Sequence, residues 1–132
     1  MVREEHQQEL NQNRPMYEKR AWGEYFVLDY SNDDNNKNSL TKKLVINEGQ
    51  HISYQLHKHR TEIWTFIKGE GELIIDDIKK QVKYGDSVII PVGAKHTVKA
   101  NTELHIIEVQ IGDLLVEEDI ERFDYNWSFK EG

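Results

Sequence analysis

From residue 22 onward the chain breaks into β-prone runs of five to ten residues, most of them closed by a turn signal. Nothing else in the sequence restricts the fold as much. The runs are WGEYFVLDY (22–30), LTKKLVI (40–46), HISYQLH (51–57), EIWTFIKG (62–69), ELIID (72–76), IKKQVKY (78–84), SVIIP (87–91), HTVKA (96–100) and ELHIIEVQIG (103–112). Between the first two lies a loop by composition, SNDDNNKNS (31–39), and GEG joins the fourth to the fifth as a hairpin would. Strands of this length and spacing build an all-β sandwich or barrel. Only the tail, DLLVEEDIERFDYNW, is expected to carry a turn or two of helix, and no repeat is visible.

The bulk numbers narrow what such a barrel can bind. The 132 residues suffice for one domain with a real core. A net charge of -7 argues against a nucleic-acid partner. Cysteine is absent, so any metal must be held by nitrogen and oxygen donors. Residues 1–13 are polar and read as a flexible N-terminal arm, with a single domain over 14–132. No apolar stretch is long enough to span a bilayer, so a soluble, cytoplasmic protein without a membrane partner is expected.

HISYQLH alternates strictly. Ile52, Tyr54 and Leu56 take one face, and His51, Ser53, Gln55 and His57 take the other. A solvated edge would explain that pattern, but two longer strings give it another meaning. Gly49, Gln55, His57, Glu62 and Gly69 are separated by five, one, four and six residues. Downstream, Gly85, Pro91, Gly93 and His96 are separated by five, one and two. Together the strings resemble the two motifs of the cupin superfamily, G-x5-H-x-H-x3–4-E-x6-G and G-x5-P-x-G-x2-H. That resemblance implies a double-stranded β-helix, or jelly-roll barrel, with a metal inside. The first motif fits only with Gln55 in the place of its first histidine. Pairing His57 with His59 instead leaves two residues before Glu62 and seven after Gly49, and neither spacing fits. The implied ligands are therefore Gln55, His57, Glu62 and His96. Two imidazoles, a carboxylate and an amide oxygen suit one divalent ion, zinc first, with manganese, iron, cobalt or nickel also compatible.

Around these motifs the resemblance narrows to the type II phosphomannose isomerase domain. RAWGEYFVLD is similar to its R-P-W-G-x-Y entry, and SYQLHKHRTEIW to its S-L-Q-M-H-H-H-R-A-E-H-W. YGDSVIIPVGAKHTVKA and IIEVQIGDLLVEEDIERFDY continue the match, which runs from about residue 14 to 125. The family's domain usually follows a guanylyltransferase half, and none is visible here. Three positions depart from its pattern: Ala21 for proline, Ile63 for histidine, and Asn126-Trp127 where Gly-Arg follows the tyrosine.

The resemblance implies interconversion of mannose 6-phosphate and fructose 6-phosphate by proton transfer through an enediol. A metal would polarise the carbonyl and a neighbouring base would carry the proton. His59 and Glu108 are the candidate bases, although Glu108 and Gln110 could equally form structural hydrogen bonds on their strand. Arg60 is the first candidate for the sugar phosphate, with Lys95, Gln110 and Arg122 behind it. Trp64 shares the parity of Glu62 and reads as core or as the wall of a sugar site. Two other functions fit the same ligands: a sugar-binding cupin without turnover, and a metal-dependent dioxygenase. Cupins commonly pair, and the Ile52, Tyr54 and Leu56 face is the candidate homodimer interface.

Overall fold

The alternating runs become strands whose inward positions fill one core between two sheets. The computed structural model of the protein describes residues 16–33 and 35–127. Eleven strands are present among them: β1 (Tyr17–Arg20), β2 (Gly23–Ser31), β3 (Asn38–Ile46), β4 (Tyr54–Leu56), β5 (Arg60–Lys68), β6 (Glu70–Ile75), β7 (Ile78–Lys83), β8 (Ser87–Ile90), β9 (His96–Ala100), β10 (Leu104–Gly112) and β11 (Glu121–Phe123). One sheet runs β1-β2-β3-β10-β5-β8 and the other β11-β4-β9-β6-β7, with antiparallel pairing throughout. The all-β expectation holds. The arm over residues 1–13 lies outside the described residues.

Register explains the interior. On the inner face of the larger sheet, Tyr25, Leu44, Ile106 and Phe66 form one cross-strand row. The next row is Val27, Lys42, Glu108, Trp64 and Val88, and the one after it holds Leu40, Gln110, Glu62 and Ile90. Leu73, Val98 and Leu104 are fully buried and close the core. Each such side chain contributes about 1.5–3 kcal/mol by leaving water. A barrel floor could be wholly apolar, yet the middle of this one carries Lys42, Glu108, Gln110 and Glu62. Polar groups so placed cost stability unless they are paired.

Three local expectations are corrected. The GEG segment is no hairpin: β5 and β6 belong to different sheets, and the chain turns the corner between them at Gly69. Gly69 has φ 88°, and a Cβ there would run into the Glu103 carbonyl, so the corner requires glycine. The true hairpin is β6–β7, whose two-residue turn puts Asp76 and Asp77 at φ 48° and 69°, as a type I′ turn needs. The tail forms no helix among the described residues. Glu121–Phe123 instead pairs with β4, because strand β4 offers a free edge there.

The third correction concerns the supposed interface. Regular pairing in HISYQLH begins only at Tyr54, with a single bridge from His51 to Lys99 before it. Ile52 joins the core cluster rather than facing out. Tyr54 is buried under the tail, edge-on to Phe123 and Tyr125, with its hydroxyl donating to Asp77 Oδ1 at 2.8 Å. Neither is available to a second copy.

Candidate metal centre

His57 lies just past β4, His96 opens β9, and both therefore belong to the smaller sheet, whereas Glu62 projects from β5 of the larger one. The barrel's closure brings them together. One ligand atom from each lies within 4.8 Å of the other two, and all three residues are buried. Gln55 stands directly opposite His96 on β4, half-buried, and cross-strand neighbours share a face. Its amide oxygen is 3.4 Å from the Ser53 hydroxyl.

Tautomers decide whether such a cluster can bind a cation. His57 Nδ1 donates to the Asp119 carbonyl at 2.7 Å, and His96 Nδ1 donates to the Ala94 carbonyl at 2.9 Å. Each ring therefore turns Nε2 toward Glu62. His96 Nε2 is 3.3 Å from Glu62 Oε1 yet has no hydrogen-bond partner although it is buried. His57 Nε2 is 3.3 Å from Glu62 Oε2 and accepts from Arg60 Nη2 at 3.1 Å, while Arg60 Nε donates to Glu62 Oε2 at 2.8 Å. His57 and Glu62 are thus already arranged around a positive charge, and His96 turns a buried Nε2 without a hydrogen-bond partner to the same carboxylate. The donor set fits a divalent ion.

Protonation follows from the same contacts. Burial, with help from Arg60 and His96, pushes His57 down to about 4 against the opposing pull of Glu62. Burial also works against the charged form of His96, but the carboxylate beside it outweighs this and raises its pKa. Glu62 goes well below the usual carboxylate range, since burial is overcome by His96, Arg60 and His57. Glu108 moves the other way, raised by burial and then by the charge of Glu62.

A cavity of about 330 Å³ opens onto the cluster, in the range of small-ligand sites. Arg20, Lys42, Arg60 and Arg122 line it with Glu62, Glu108 and Glu117, and Trp22 and Tyr25 form aromatic wall. Gln55 lines it too, and Arg122 is Gln55's partner across β11–β4. Glu108 is held by Trp64 Nε1 (3.1 Å to Oε1) and Gln110 Nε2 (2.9 Å to Oε2); the same indole N–H also reaches Glu62 Oε1 at 3.1 Å. Trp64, fully buried, is therefore both core and the bridge between the two carboxylates.

Three of the expected catalytic and substrate-binding residues do not line this cavity. Gln110 is buried, with its Nε2 donating to Glu108. His59 is exposed, with Nδ1 3.5 Å from Asp113 Oδ1. Lys95 extends over the Tyr54 and Phe123 rings and sits 3.6 Å from Asp77 Oδ2. Residues not anticipated take their place. Lys42 shares the parity of Leu40, Leu44 and Ile46, and that alone would have pointed it inward. Asp119 lies in the tail for which the sequence suggests only a turn or two of helix. Its carbonyl orients His57, and its carboxylate accepts from the backbone N–H groups of Lys58 (2.8 Å) and His59 (2.9 Å). Asp119→Ala releases that turn and is expected to weaken metal affinity about tenfold, the effect of losing a partner that orients a ligand. Calorimetric titration with zinc checks this, and unchanged affinity would remove Asp119 from the site.

A jelly-roll barrel with a buried two-histidine, one-carboxylate cluster at its mouth is the architecture of a cupin. Solved structures of that fold superpose on it, including an RmlC-like cupin from Shewanella frigidimarina (TM-score 0.64, 18% identity, covering 81% of this chain and 89% of that one). An uncharacterised double-stranded β-helix protein from Klebsiella pneumoniae agrees as well (TM-score 0.63, 22% identity, 76% and 83%). Residues 5–125 match the family model described as mannose-6-phosphate isomerase C-terminal, and the chain belongs to that family. Among curated relatives, a mannose-1-phosphate guanylyltransferase of Salmonella montevideo is 33% identical over 92% of this chain. The alginate biosynthesis protein AlgA of Pseudomonas putida is 33% identical over 80% of it. The chain spans 25% and 21% of those two proteins. No helix among the described residues is long and apolar enough to cross a membrane.

Proposed function

We propose that the protein is a metal-dependent sugar-phosphate isomerase of the mannose 6-phosphate to fructose 6-phosphate type. The observation that carries this reading is one cavity that reaches the ligand cluster at Glu62 and is lined by Gln55, a second buried carboxylate, Glu108, and four cationic side chains. His57, Glu62 and His96 would hold the divalent ion, with Gln55 as a fourth donor, and zinc suits the set best. When bound, that ion supplies Lewis-acid polarisation of the sugar carbonyl.

The chain's own residues do the rest. Arg60 and Arg122 receive the phosphate, for which a guanidinium is matched in charge and geometry. Glu108 removes a proton from one carbon and returns it to its neighbour. Its raised pKa suits that role, since a base must also release its proton at working pH. Gln110 and Trp64 aim its two oxygens. Trp22 and Tyr25 wall the sugar.

The test is incubation with mannose 6-phosphate in deuterated water, with zinc, manganese, iron, cobalt and nickel in turn. Fructose 6-phosphate and deuterium on the carbon adjacent to the carbonyl are the expected products. Absence of both with every metal would sink the isomerase and leave a sugar-binding cupin, while oxygen uptake with iron would indicate a dioxygenase.

A further inference from the structure

Among the described residues Lys42 is the one lysine lining the cavity, and its side chain is only 15% exposed. It stands on the inner face of β3 between Leu40 and Leu44, directly opposite Glu108 in the β3–β10 register. Its Nζ is 3.8 Å from Glu108 Oε2 and 4.5 Å from the centre of the Tyr25 ring. Burying an ammonium beside a carboxylate stabilises a fold little, since an apolar pair of similar volume would usually do as well. The pair therefore calls for a chemical reason.

Resting on the isomerase reading, we propose that Lys42 and Glu108 are a proton-transfer pair, Glu108 serving the substrate's carbons and Lys42 its oxygens. An aldose–ketose interconversion moves two protons, one from C2 to C1 and one from the C2 hydroxyl to the C1 oxygen. A single base cannot be placed for both. Glu108 spends one lone pair of each oxygen on Trp64 and Gln110 and keeps the others. Lys42, held over an aromatic face, offers a proton from the adjoining strand.

The steps balance. The C2–H bond breaks, its proton passing to Glu108 and its electron pair forming the C1=C2 bond. The C1=O bond opens, and its oxygen takes a proton from Lys42. In the second half Lys42, now an amine, takes the proton of the C2 hydroxyl as the C2=O bond forms. The C1=C2 pair then captures the proton that Glu108 returns to C1. Both groups end as they began.

The role demands an ammonium rather than any cation, because a guanidinium does not give up its proton in proteins. That sets the experiment. Wild type, Lys42→Met and Lys42→Arg are loaded with the metal that supports turnover and assayed with mannose 6-phosphate. Metal content and melting temperature are followed in parallel. Lys42→Met is expected to lose about a hundredfold in kcat, within the span of acid–base contributions, with KM changed less than about twofold. Lys42→Arg is expected not to rescue it, and all three chains should retain one metal.

Near-normal kcat in Lys42→Arg would overturn the pair by reducing Lys42 to a fixed charge. A raised KM with unchanged kcat in Lys42→Met would overturn it by making Lys42 a substrate anchor. If Lys42→Met does not fold, Lys42→Arg decides alone. A wild type without ketose product takes down the isomerase reading and the pair together, whereas an active wild type and an equally active Lys42→Met take down only the pair.

Discussion

His96→Ala is expected to abolish metal binding, with zinc affinity falling more than a hundredfold in a calorimetric titration. Losing a group that merely orients a ligand costs about 10–100-fold, and losing the ligand itself costs more. His96 Nε2 is buried without a hydrogen-bond partner, and its loss takes one of the three ligand atoms from the cluster. The same truncation should also cost stability. Glu62 is 2% exposed and keeps its charge partly through the imidazole beside it. Removing one member of such a pair typically costs about 3–5 kcal/mol. Metal loss and unfolding must therefore be separated, and Glu62→Gln does so. It keeps the side-chain volume, removes the buried charge, and should lose metal while melting near the wild-type temperature. Wild-type zinc affinity in both variants would show that the cluster is structural.

Much of the barrel and of the candidate cluster was legible in the sequence, for a specific physical reason. Strand alternation and glycine-marked corners are local properties, and the spacings through Gly49, His57, Glu62 and His96 measure positions along those strands. The structure brings His57, Glu62 and His96 within ligand distance of one another and puts Gln55 opposite His96. What failed depended on which sheet a strand joins. GEG looks the same in a hairpin and in a corner between sheets, and only the pairing of β6 with β9 distinguishes them. The acidic tail looks solvated until β11 adds to β4 and carries Asp119 against His57. His59 follows the ligand pair in sequence but faces Asp113, because neighbouring positions on a turn need not share a cavity. Lys42 was readable in principle: its parity is inward, though a lysine in an apolar alternation is easily taken for a surface residue.

Acidification is expected to strip the metal in two stages, because protons compete for the donor atoms. In the metal-free chain burial opposes the charged form of His96 but Glu62 prevails, so its pKa stands above the ordinary 6.5. Between that raised pKa and about 4, metal entry must therefore expel one proton from His96. His57, pushed down to about 4, is already neutral there and already turns its lone pair to the site. The sign follows directly. Affinity should rise with pH, the logarithm of the binding constant climbing about one unit per pH unit from about 4 until His96 deprotonates, and levelling above that point. Below about 4 His57 takes a proton as well, and the slope should approach two. Only then does Glu62, held well below the usual range, begin to compete. Zinc titrations in buffers of differing ionisation enthalpy measure both the slope and the number of protons released. The stages also separate by residue. Glu62→Gln removes the charge that raises His96, so its proton release should move to lower pH. Release of two protons at neutral pH would mean that His57 is charged there, contrary to the acceptor role its Nε2 plays toward Arg60.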